Sequence, residues 1–170
     1  MEEVTIRDLR EEDAVAISLV LREGFSWWYD FQRKQGKDAQ WMYDAQSPEH
    51  VREDAIRKDE NSKSLVAEVN GKVIGYISAS FNPGPRLGVI GIVSVDPEHH
   101  GRGIGTELMR AAIGFLKSKG ARKVWTTVST INTKAIIYYI RNGFMPEGVL
   151  KDHFADGIDE IFMGMFLGQE

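Results

Sequence analysis

The sequence predicts an α+β fold in which a mixed, mostly antiparallel central sheet of about seven strands is flanked by about four helices. Three observations support this prediction. Short runs of β-branched and apolar residues alternate with longer stretches whose apolar residues recur at helical spacing. Neighbouring runs are separated by two-residue turn signals that are typical of hairpins. A glycine-rich turn joins one apolar run to a helical stretch. The predicted order of elements is β-α-α-β-β-β-α-β-α-β-β.

The first half of the chain is predicted to hold three strands and two helices. Asp13 is placed to cap the first helix, because a carboxylate accepts hydrogen bonds from the first turn. Ser47 and Pro48 start the second helix in the same way, with proline at its first position. Asn70-Gly71 favours a tight hairpin turn. The aromatic stretch 25–31 has no clean period. The strands are predicted at 5–9, 64–69 and 72–80.

The second half of the chain is predicted to hold a strand–helix–strand unit, a further helix and a closing hairpin. Gly120 ends the first of these helices, because glycine adopts the positive φ of a helix C-terminus. Asn132 caps the next helix, which stops at Gly143. The predicted segments are strands at 87–95 and 123–129, a helix from 104 to 116, and a hairpin that turns at 156–157.

Composition limits the function classes. The chain of 170 residues fits one domain with a hydrophobic core. It carries 21 basic and 25 acidic residues without a Lys/Arg run, which argues against a nucleic-acid partner. No apolar run approaches the roughly 20 residues of a membrane helix, so no membrane partner is expected. The absence of cysteine excludes a thiol nucleophile. The charged N-terminal stretch does not resemble a signal peptide, so we expect a cytoplasmic protein.

The stretch 95–108, VDPEHHGRGIGTEL, places three glycines where a helix is predicted to begin. The first turn of a helix leaves N–H groups unpaired and carries partial positive charge, and glycine lets a phosphate approach the backbone. Residues 100–106 are therefore predicted to bind a pyrophosphate, with Arg102 and the two histidines as side-chain donors. The spacing matches neither a dinucleotide fingerprint nor a P-loop. A tight connection without a ligand is the alternative.

Two motifs together resemble the GNAT superfamily of acetyl-CoA-dependent N-acetyltransferases. The first is V-x-P followed by Q/R-x-x-G-x-G/A, and the second, about thirty residues later, is N-x-x-A-x-x-x-Y-x-x-x-G-F. The first motif is matched by Val95, Pro97, Gly103 and Gly105. The second is matched by Asn132, Ala135, Tyr139, Gly143 and Phe144. The C-terminal part is similar to ribosomal-protein alanine N-acetyltransferases. The resemblance implies one acetyltransferase domain over 1–170, with its cofactor-binding part at about 64–145.

The resemblance implies that acetyl-CoA is the co-substrate, that no metal is needed and that an amine attacks the thioester directly in a ternary complex. A backbone N–H of strand 93–95, splayed from strand 124–129, would polarise the carbonyl. Gly88 and Gly91 favour a bulge in the strand 87–95, and a weak strand without a bulge is the alternative. Tyr139 is the implied acid for the leaving thiolate, and a core aromatic is the alternative. The implied cofactor-binding residues are Val93, Ser94, Val95, His100, Gly101, Arg102, Gly103, Ile104, Gly105, Thr106 and Asn132.

Two departures from the family pattern bear on the activity. His100 stands at the family's Gln or Arg position, where a backbone N–H is the main contact. Thr127 stands where the ribosomal-protein enzymes place a glutamate base, and threonine cannot serve as one. Glu160, Asp159, His153 or a chain of waters remain as candidate bases. For each of these three side chains, the sequence favours a solvated hairpin residue over a base.

The acceptor is left open. The aromatic residues at 25–31 and 41–44 are candidates for an acceptor wall, for core packing or for a homodimer contact. The acceptor is expected to be a primary amine, either on a small molecule or at a protein N-terminus. The alternative function is a non-catalytic acyl-CoA-binding sensor or subunit. A nucleotide-binding regulator would use the same glycines and would leave the second motif unexplained.

Overall fold

A seven-stranded mixed sheet is the centre of the structure. The computed structural model describes residues 3–57 and 59–168, so the first two residues of the charged N-terminal stretch lie outside it. The strand order is β1-β2-β3-β4-β5-β7-β6. β4 and β5 pair in parallel, whereas β1–β2, β5–β7 and β6–β7 pair antiparallel. The predicted α+β class and the predicted strand number are confirmed. Within the described residues, no helix is both long enough and apolar enough to cross a bilayer.

The elements follow the predicted order closely in the second half of the chain. The strands are β1 (Val4–Asp8), β2 (Ser62–Val69), β3 (Lys72–Asn82), β4 (Leu87–Val95), β5 (Lys123–Ser129), β6 (Met145–Ala155) and β7 (Ile158–Phe166). The helices are α1 (Ala14–Gly24), α2 (Ser26–Lys34), α3 (Gln40–Ala45), α4 (Pro48–Ile56), α5 (Ile104–Ser118) and α6 (Thr133–Arg141). Short 3-10 turns cover Glu11–Asp13 and Pro97–His99.

The described residues form six α-helices, so the prediction of about four is too low. The two extra helices, α2 and α3, lie in and just after the aromatic stretch. In α2 the buried side chains are Trp28, Tyr29 and Gln32, which share one helical face. The sequence does not show a helical period of apolar residues here, because Trp27 and Phe31 lie off the buried face of the helix and because that face includes a glutamine. An apolar count therefore misses this helix.

Contacts within the chain divide it into two compact units. The first holds the residues up to Ser78 together with Ile92–Ala112, and the second holds Ala79–Gly91 together with the residues from Ile113 onward. The chain passes between the units inside β3, β4 and α5. In the first unit, a core cluster joins α1, α4, β2 and β3. Its members are Leu9, Ala14, Ile17, Leu21, Val51, Val66, Val73 and Tyr76.

The second unit is organised around β5. β4 pairs with it over Leu87–Val89, and β7 pairs with its whole length. The buried apolar residues of this unit include Leu116, Val124, Phe144, Ile158 and Met163. β6 forms the outer strand and is almost entirely exposed. Its register against β7 shifts between Leu150 and Ala155, which inserts a bulge next to the hairpin turn.

The local signals for caps and turns are confirmed with one exception. Ser47 accepts a hydrogen bond from the amide of His50 at 3.2 Å, as expected for the cap of α4. Asn70 and Gly71 both have positive φ, 51° and 79°, which is the conformation of a type I′ hairpin turn. The exception is Asp13, whose side chain makes no hydrogen bond to the amides of α1.

Asp13 instead anchors the segment that precedes α1. Its carboxylate accepts hydrogen bonds from the Arg7 guanidinium at 2.7 and 2.9 Å and from the Arg10 amide at 2.8 Å. Arg7 also bonds Glu68 of β2 at 2.8 Å. Burial alone would raise the pKa of Asp13, but the bonds from Arg7 and the Arg10 amide outweigh it, so the pKa is lowered. The prediction of a cap on α1 was wrong because the half-buried Arg7 guanidinium offers this carboxylate stronger bonds than neutral amides do.

We predict that Asp13→Ala lowers the free energy of unfolding by about 3 kcal/mol, because the half-buried Arg7 guanidinium loses its bidentate partner. Urea denaturation at pH 7 measures the loss. Glu12→Ala is the matched control: Glu12 is exposed and lies 3.8 Å from Arg10, so its loss should stay within about 0.5 kcal/mol. Equal effects of the two substitutions would contradict the role given to Asp13.

The same ion pair predicts the direction of an acid effect. Because the pKa of Asp13 is lowered by folding, its stabilising contribution is complete above the ordinary value of 3.8 and is lost as the pH falls through the lowered folded value. The difference in stability between the wild type and Asp13→Ala should therefore shrink as the pH is lowered below about 4.

Candidate active site

The glycine-rich turn lies in the first unit, between the end of β4 and the start of α5. Gly101 and Gly103 have φ of +77° and +81°, a region that L side chains rarely adopt. α5 begins at the next residue, Ile104, and its first intrahelical bond joins the amide of Glu107 to the carbonyl of Gly103 at 3.1 Å. The N–H groups of the first turn precede that bond. Two of the three alternating glycines, Gly101 and Gly103, thus adopt the left-handed conformation directly before the N-terminus of α5.

The space around the turn is open. A Cβ built on Gly101 or Gly103 would have no heavy atom within 4 Å. Both residues are exposed, as is Arg102 between them. The apolar Ile104 that follows is 2% exposed and anchors the start of α5. The turn is therefore held at its base while its backbone faces open space, which fits the approach of an anionic group.

Asp96 holds the other end of the turn. Its amide donates to the Ile74 carbonyl of β3 at 2.8 Å, and its carboxylate accepts from the amide of Glu98 at 2.9 Å. Lys72 Nζ and His99 Nδ1 each lie 3.5 Å from the same carboxylate. Burial alone would raise the pKa of Asp96, but the Glu98 amide and Lys72 outweigh it, and the pKa is lowered. Sequence reasoning missed this residue, although the Asp-Pro pair was a visible turn signal.

Two of the predicted cofactor-binding side chains point to protein partners. The Ser94 hydroxyl is buried and donates to the Val20 carbonyl of α1 at 3.0 Å. His100 Nε2 lies 2.8 Å from the Val95 carbonyl, which ties the imidazole to the end of β4. Any ligand contact of Ser94 therefore comes from its backbone. Of the remaining predicted residues here, Val93, Val95 and Gly105 are half-buried and Thr106 is exposed.

The second motif forms α6 and its two ends in the second unit. Asn132 Oδ1 accepts from the amide of Ala135 at 3.1 Å, so the residue caps α6 as predicted. Its own amide donates to the Ser129 carbonyl at 2.9 Å, which links the cap to the end of β5. Gly143 has φ +91° and ends the helix. Phe144 is fully buried behind it.

Tyr139 is buried on the inner face of α6. It is 5% exposed and packs edge-on against Tyr138 and Phe144, with ring centroids 5.3 and 5.4 Å away. Burial raises the pKa of Tyr139 to about 12, while a hydrogen bond from the Thr126 side chain opposes the shift. The phenol is thus a weaker acid than tyrosine in water, and its oxygen is positioned from β5.

Thr126 is the partner that sequence reasoning missed. It is 1% exposed and lies between Val124 and Val128 on the buried face of β5. A hydroxyl at the centre of an apolar face needs a hydrogen-bond partner. The signal was therefore present in the alternation of this strand, but only the packing of α6 shows that the partner is Tyr139.

The three candidate bases on the last hairpin differ sharply in their surroundings. Asp159 accepts from Lys151 Nζ and from the amide of Asp152, and these bonds lower its pKa. His153 is exposed on the bulge of β6, edge-on to Phe154. Glu160 is 4% exposed and accepts a hydrogen bond from the Ser129 hydroxyl. Burial raises the pKa of Glu160, while the Ser129 bond and His153 oppose the shift. Glu160 is therefore not a solvated hairpin residue.

The pairing of β4 with β5 shows no bulge at Gly88. Leu87, Gly88 and Val89 pair in unbroken register with Lys123, Val124 and Trp125. A Cβ on Gly88 would lie 2.8 Å from Leu116 of α5. The glycine therefore makes room for a helix side chain. The register covers neither Gly91 nor the end of β4, so the splay of 93–95 from 124–129 stays a prediction.

The aromatic residues of α2 and α3 pack on one another. Trp28 meets Tyr29 and Trp41 edge-on, with centroids 5.9 and 5.3 Å away, and Tyr29 stacks on Tyr43 at 4.2 Å. Trp28 and Tyr29 are buried, whereas Trp41 is 49% exposed. Of the alternatives considered for this cluster, core packing describes the first two residues. Trp41 remains accessible.

Across residues 3–57 and 59–168, no three His, Asp or Glu side chains are grouped closely enough to hold a metal ion. The arrangement instead offers exposed backbone at a helix N-terminus in one unit. In the other unit it offers a buried phenol and a buried carboxyl group.

Comparison with known proteins identifies the family. A family model described as Acetyltransferase (GNAT) family matches residues 24–144, well over half of the chain. The chain therefore belongs to the GNAT acetyltransferase family, as the two motifs predicted.

Individual relatives agree with this assignment. The chain is 30% identical over 152 residues to an uncharacterized N-acetyltransferase of Methanocaldococcus jannaschii, covering 86% of this chain. The match spans 63% of the length of that curated relative. The structure is similar to the PaiA N-acetyltransferase of Thermoplasma acidophilum in complex with coenzyme A, with a TM-score of 0.79, 23% identity and coverage of 97% and 99% of the two chains.

A further structural neighbour matches the resemblance noted for the C-terminal part. It is the ribosomal-protein-S18-alanine N-acetyltransferase of Escherichia coli, with a TM-score of 0.74, 18% identity and coverage of 99% of this chain and 96% of that one. At such identities the two structural likenesses show a shared fold alone.

We predict that Gly103→Ala lowers the free energy of unfolding by about 1–2 kcal/mol, because alanine is strained at positive φ. Gly103→Asn should cost less, since asparagine tolerates this region. Gly114→Ala is the control: Gly114 lies inside α5 without positive φ, and its Cβ would meet no heavy atom. That change should instead stabilise by about 0.5–1 kcal/mol. Urea denaturation of the three variants would refute the strain argument if all three shifted alike.

Proposed function

We propose that this GNAT-family protein transfers the acetyl group of acetyl-CoA to a primary amine. The observation that carries the proposal is the pair of left-handed glycines, Gly101 and Gly103, directly before the N-terminus of α5. Exposed backbone at a helix N-terminus stabilises a phosphate through N–H groups and the helix dipole. The family match and the coenzyme A complex of a structural neighbour support the same ligand.

The proposed binding of acetyl-CoA uses backbone more than side chains. N–H groups of the turn at 100–106 receive the pyrophosphate, and the exposed Arg102 adds positive charge. His100 holds the turn in place, because its amide donates to the Pro97 carbonyl at 3.2 Å and its imidazole lies 2.8 Å from the Val95 carbonyl. The strand segment formed by Val93, Ser94 and Val95 contributes main-chain groups to the thioester end. Asn132 keeps its role as the α6 cap and contacts the pantetheine arm.

The proposed reaction is a direct attack within a ternary complex. The neutral amine adds to the thioester carbonyl, whose developing negative charge is stabilised by a backbone N–H of 93–95. Collapse of the tetrahedral adduct forms the amide and expels the CoA thiolate. No acyl-enzyme is required.

Tyr139 is the proposed partner of the departing sulfur. Its pKa of about 12 lies about 3.5 units above that of a thiol, which makes full proton transfer unfavourable by about 5 kcal/mol. The phenol therefore acts mainly by donating a hydrogen bond to sulfur as negative charge develops there. Thr126 fixes the phenol oxygen for that purpose.

Further properties are part of the proposal. The chain acts as one acetyltransferase domain, and its acceptor is a small-molecule amine or a protein N-terminus. A cytoplasmic location, the absence of nucleic-acid and membrane partners, and the homodimer all stay predictions from the sequence.

We predict that Gly103→Val weakens coenzyme A binding at least tenfold, or about 1.4 kcal/mol. Gly103→Asn separates two causes, because it tolerates positive φ but still adds a side chain. We expect a comparable loss from Asn and none from Gly114→Ala, measured by calorimetry on folded variants. Wild-type affinity in Gly103→Asn would mean that the glycine serves the turn alone and would remove the main support for the pyrophosphate site.

We predict that Tyr139→Phe lowers kcat by about 10–1000-fold with little change in KM for acetyl-CoA, because it removes a donor used as the thiolate forms. Tyr138→Phe is the control, since the neighbouring ring lies about 100° away around the helix. The release of free thiol measures turnover. Equal small effects of both changes would assign Tyr139 to core packing.

A non-catalytic acyl-CoA-binding sensor is the second candidate, because Thr127 replaces the glutamate base of the similar ribosomal-protein enzymes. A screen of acetyl-CoA turnover against amines and N-terminal peptides separates the two functions. Coenzyme A binding without turnover of any amine would favour the sensor.

A further inference from the structure

Glu160 is a buried carboxyl group of β7 that lies beside the last residue of β5. It lies directly opposite Ser129 in the β5–β7 register. Directly opposed residues of antiparallel strands share a face of the sheet, and side chains alternate along each strand. Glu160, Ser129 and Thr127 therefore share one face of the second unit. Thr126, which bonds Tyr139, points to the opposite face of β5.

The charges around Glu160 do not neutralise it. Its carboxylate accepts from the Ser129 hydroxyl, and the other group that opposes the rise in the pKa of Glu160 is His153 on β6. The nearest lysine in sequence, Lys151, is paired with Asp159. Within the described part of the chain, no ion pair joins Glu160 to a lysine or arginine. A carboxylate that is 4% exposed with one neutral donor is costly to ionise.

The hydrogen-bonding capacity and the charge of an ionised Glu160 match those of a primary ammonium group. An ionised carboxylate has about four acceptor positions, and a primary ammonium group has three N–H donors and one positive charge. An ammonium ion would supply a positive charge in direct contact with the carboxylate, whereas His153 acts on Glu160 without forming an ion pair with it. The other two candidate bases are unsuited, because Asp159 is already bonded to Lys151 and Asp152 while His153 is exposed.

We propose that Glu160, oriented by Ser129, binds the ammonium group of the acceptor and removes one of its protons. This inference rests on the proposed acetyltransferase function and assigns the base that the Thr127 position does not provide. Glu160 is then a catalytic residue because it contacts the reacting nitrogen.

The proton balance of the step is complete. The ammonium group transfers one proton to the Glu160 carboxylate and becomes a neutral amine. The nitrogen lone pair then forms the C–N bond, and the C–S bond breaks with its electron pair on sulfur. The adduct nitrogen loses a second proton and the thiolate gains one. Glu160 releases its proton to solvent, so each turnover yields an amide, a free thiol and one proton.

The first test is the pH dependence of turnover in Glu160→Gln. The probes are an alanine-initiated tripeptide, spermidine and lysine with acetyl-CoA, read as free thiol. Because glutamine cannot accept a proton, the variant can use only the fraction of the amine that is already neutral in solution. We expect a loss of at least 100-fold at pH 7. For spermidine and lysine, the activity of the variant should rise by about tenfold per pH unit up to pH 9, whereas for the tripeptide, whose α-amino group has a pKa of about 8, the rise should level off near that pH. The wild type should show a shallower rise over that range.

Two controls distinguish this role from a structural one. Glu147→Gln changes a carboxylate of the same hairpin that is paired with Lys123, and it should keep the wild-type pH profile. Glu160→Asp keeps a carboxylate and should recover part of the activity at pH 7. The midpoint temperature of thermal unfolding should be no lower for Glu160→Gln than for the wild type, because an uncompensated buried charge is removed. Loss of folding in Glu160→Gln would overturn the proposal.

The second test measures binding and does not depend on turnover. Calorimetry with coenzyme A present follows binding of the same three amines to wild type and Glu160→Gln. We expect at least tenfold weaker amine binding in the variant, with unchanged coenzyme A affinity. Equal amine binding by both proteins would overturn the ammonium site even if the wild type acetylates amines. Amine binding through Glu160 without turnover would instead overturn the acetyltransferase function and keep the site.

Discussion

The alternation of side chains along β5 is the constraint on which the chemistry of the second unit depends. The strand pairs with β4 on one side and with β7 on the other, so its side chains point only up or down from the sheet. Thr126 projects toward α6 and bonds Tyr139, while Ser129 projects to the other face and bonds Glu160. A shift of one residue in register would exchange the two faces and separate both hydroxyls from their partners.

Two buried carboxyl groups show how the same residue chemistry serves different purposes. Asp13 has Arg7 within hydrogen-bond distance, so its pKa is lowered, and Arg7 joins β1 to the 3-10 turn before α1 and to β2. Glu160 has a serine hydroxyl in place of a guanidinium, so burial prevails and its pKa is raised. The first arrangement adds stability at neutral pH. The second arrangement, that of Glu160, lowers the stability at neutral pH, which is typical of groups that act on a ligand.

The glycine turn has a different physical basis, because it works through backbone conformation. Gly101 and Gly103 adopt a region of φ that other residues avoid, and Asp96 holds the turn to β3 through the Ile74 carbonyl. The open space above both glycines is consistent with a ligand that contacts main-chain N–H groups. Ser94 directly precedes the first motif and His100 stands at its Gln or Arg position. Their side chains bond the Val20 carbonyl of α1 and the Val95 carbonyl at the end of β4.

The sequence by itself determined the features that depend on a few neighbouring residues. The turns at Asn70-Gly71 and Asp156-Gly157, the caps Ser47 and Asn132, and the bounds of β4 and β5 follow from local conformational preferences. The family followed as well, because its two motifs are short and their spacing is set by one helix and one strand.

Tertiary structure alone decided which partner each polar side chain finds. The local sequence predicts that Asp13 caps α1, but its carboxylate instead accepts a hydrogen bond from the Arg7 guanidinium of β1. The helix α2 is hidden because its buried face includes Gln32. Gly88 leaves room for Leu116 of α5, which lies far away along the chain. The burial of Glu160 depends on which residues cover the end of the sheet. Burial and long-range pairing arise from contacts between distant segments, so no local pattern encodes them.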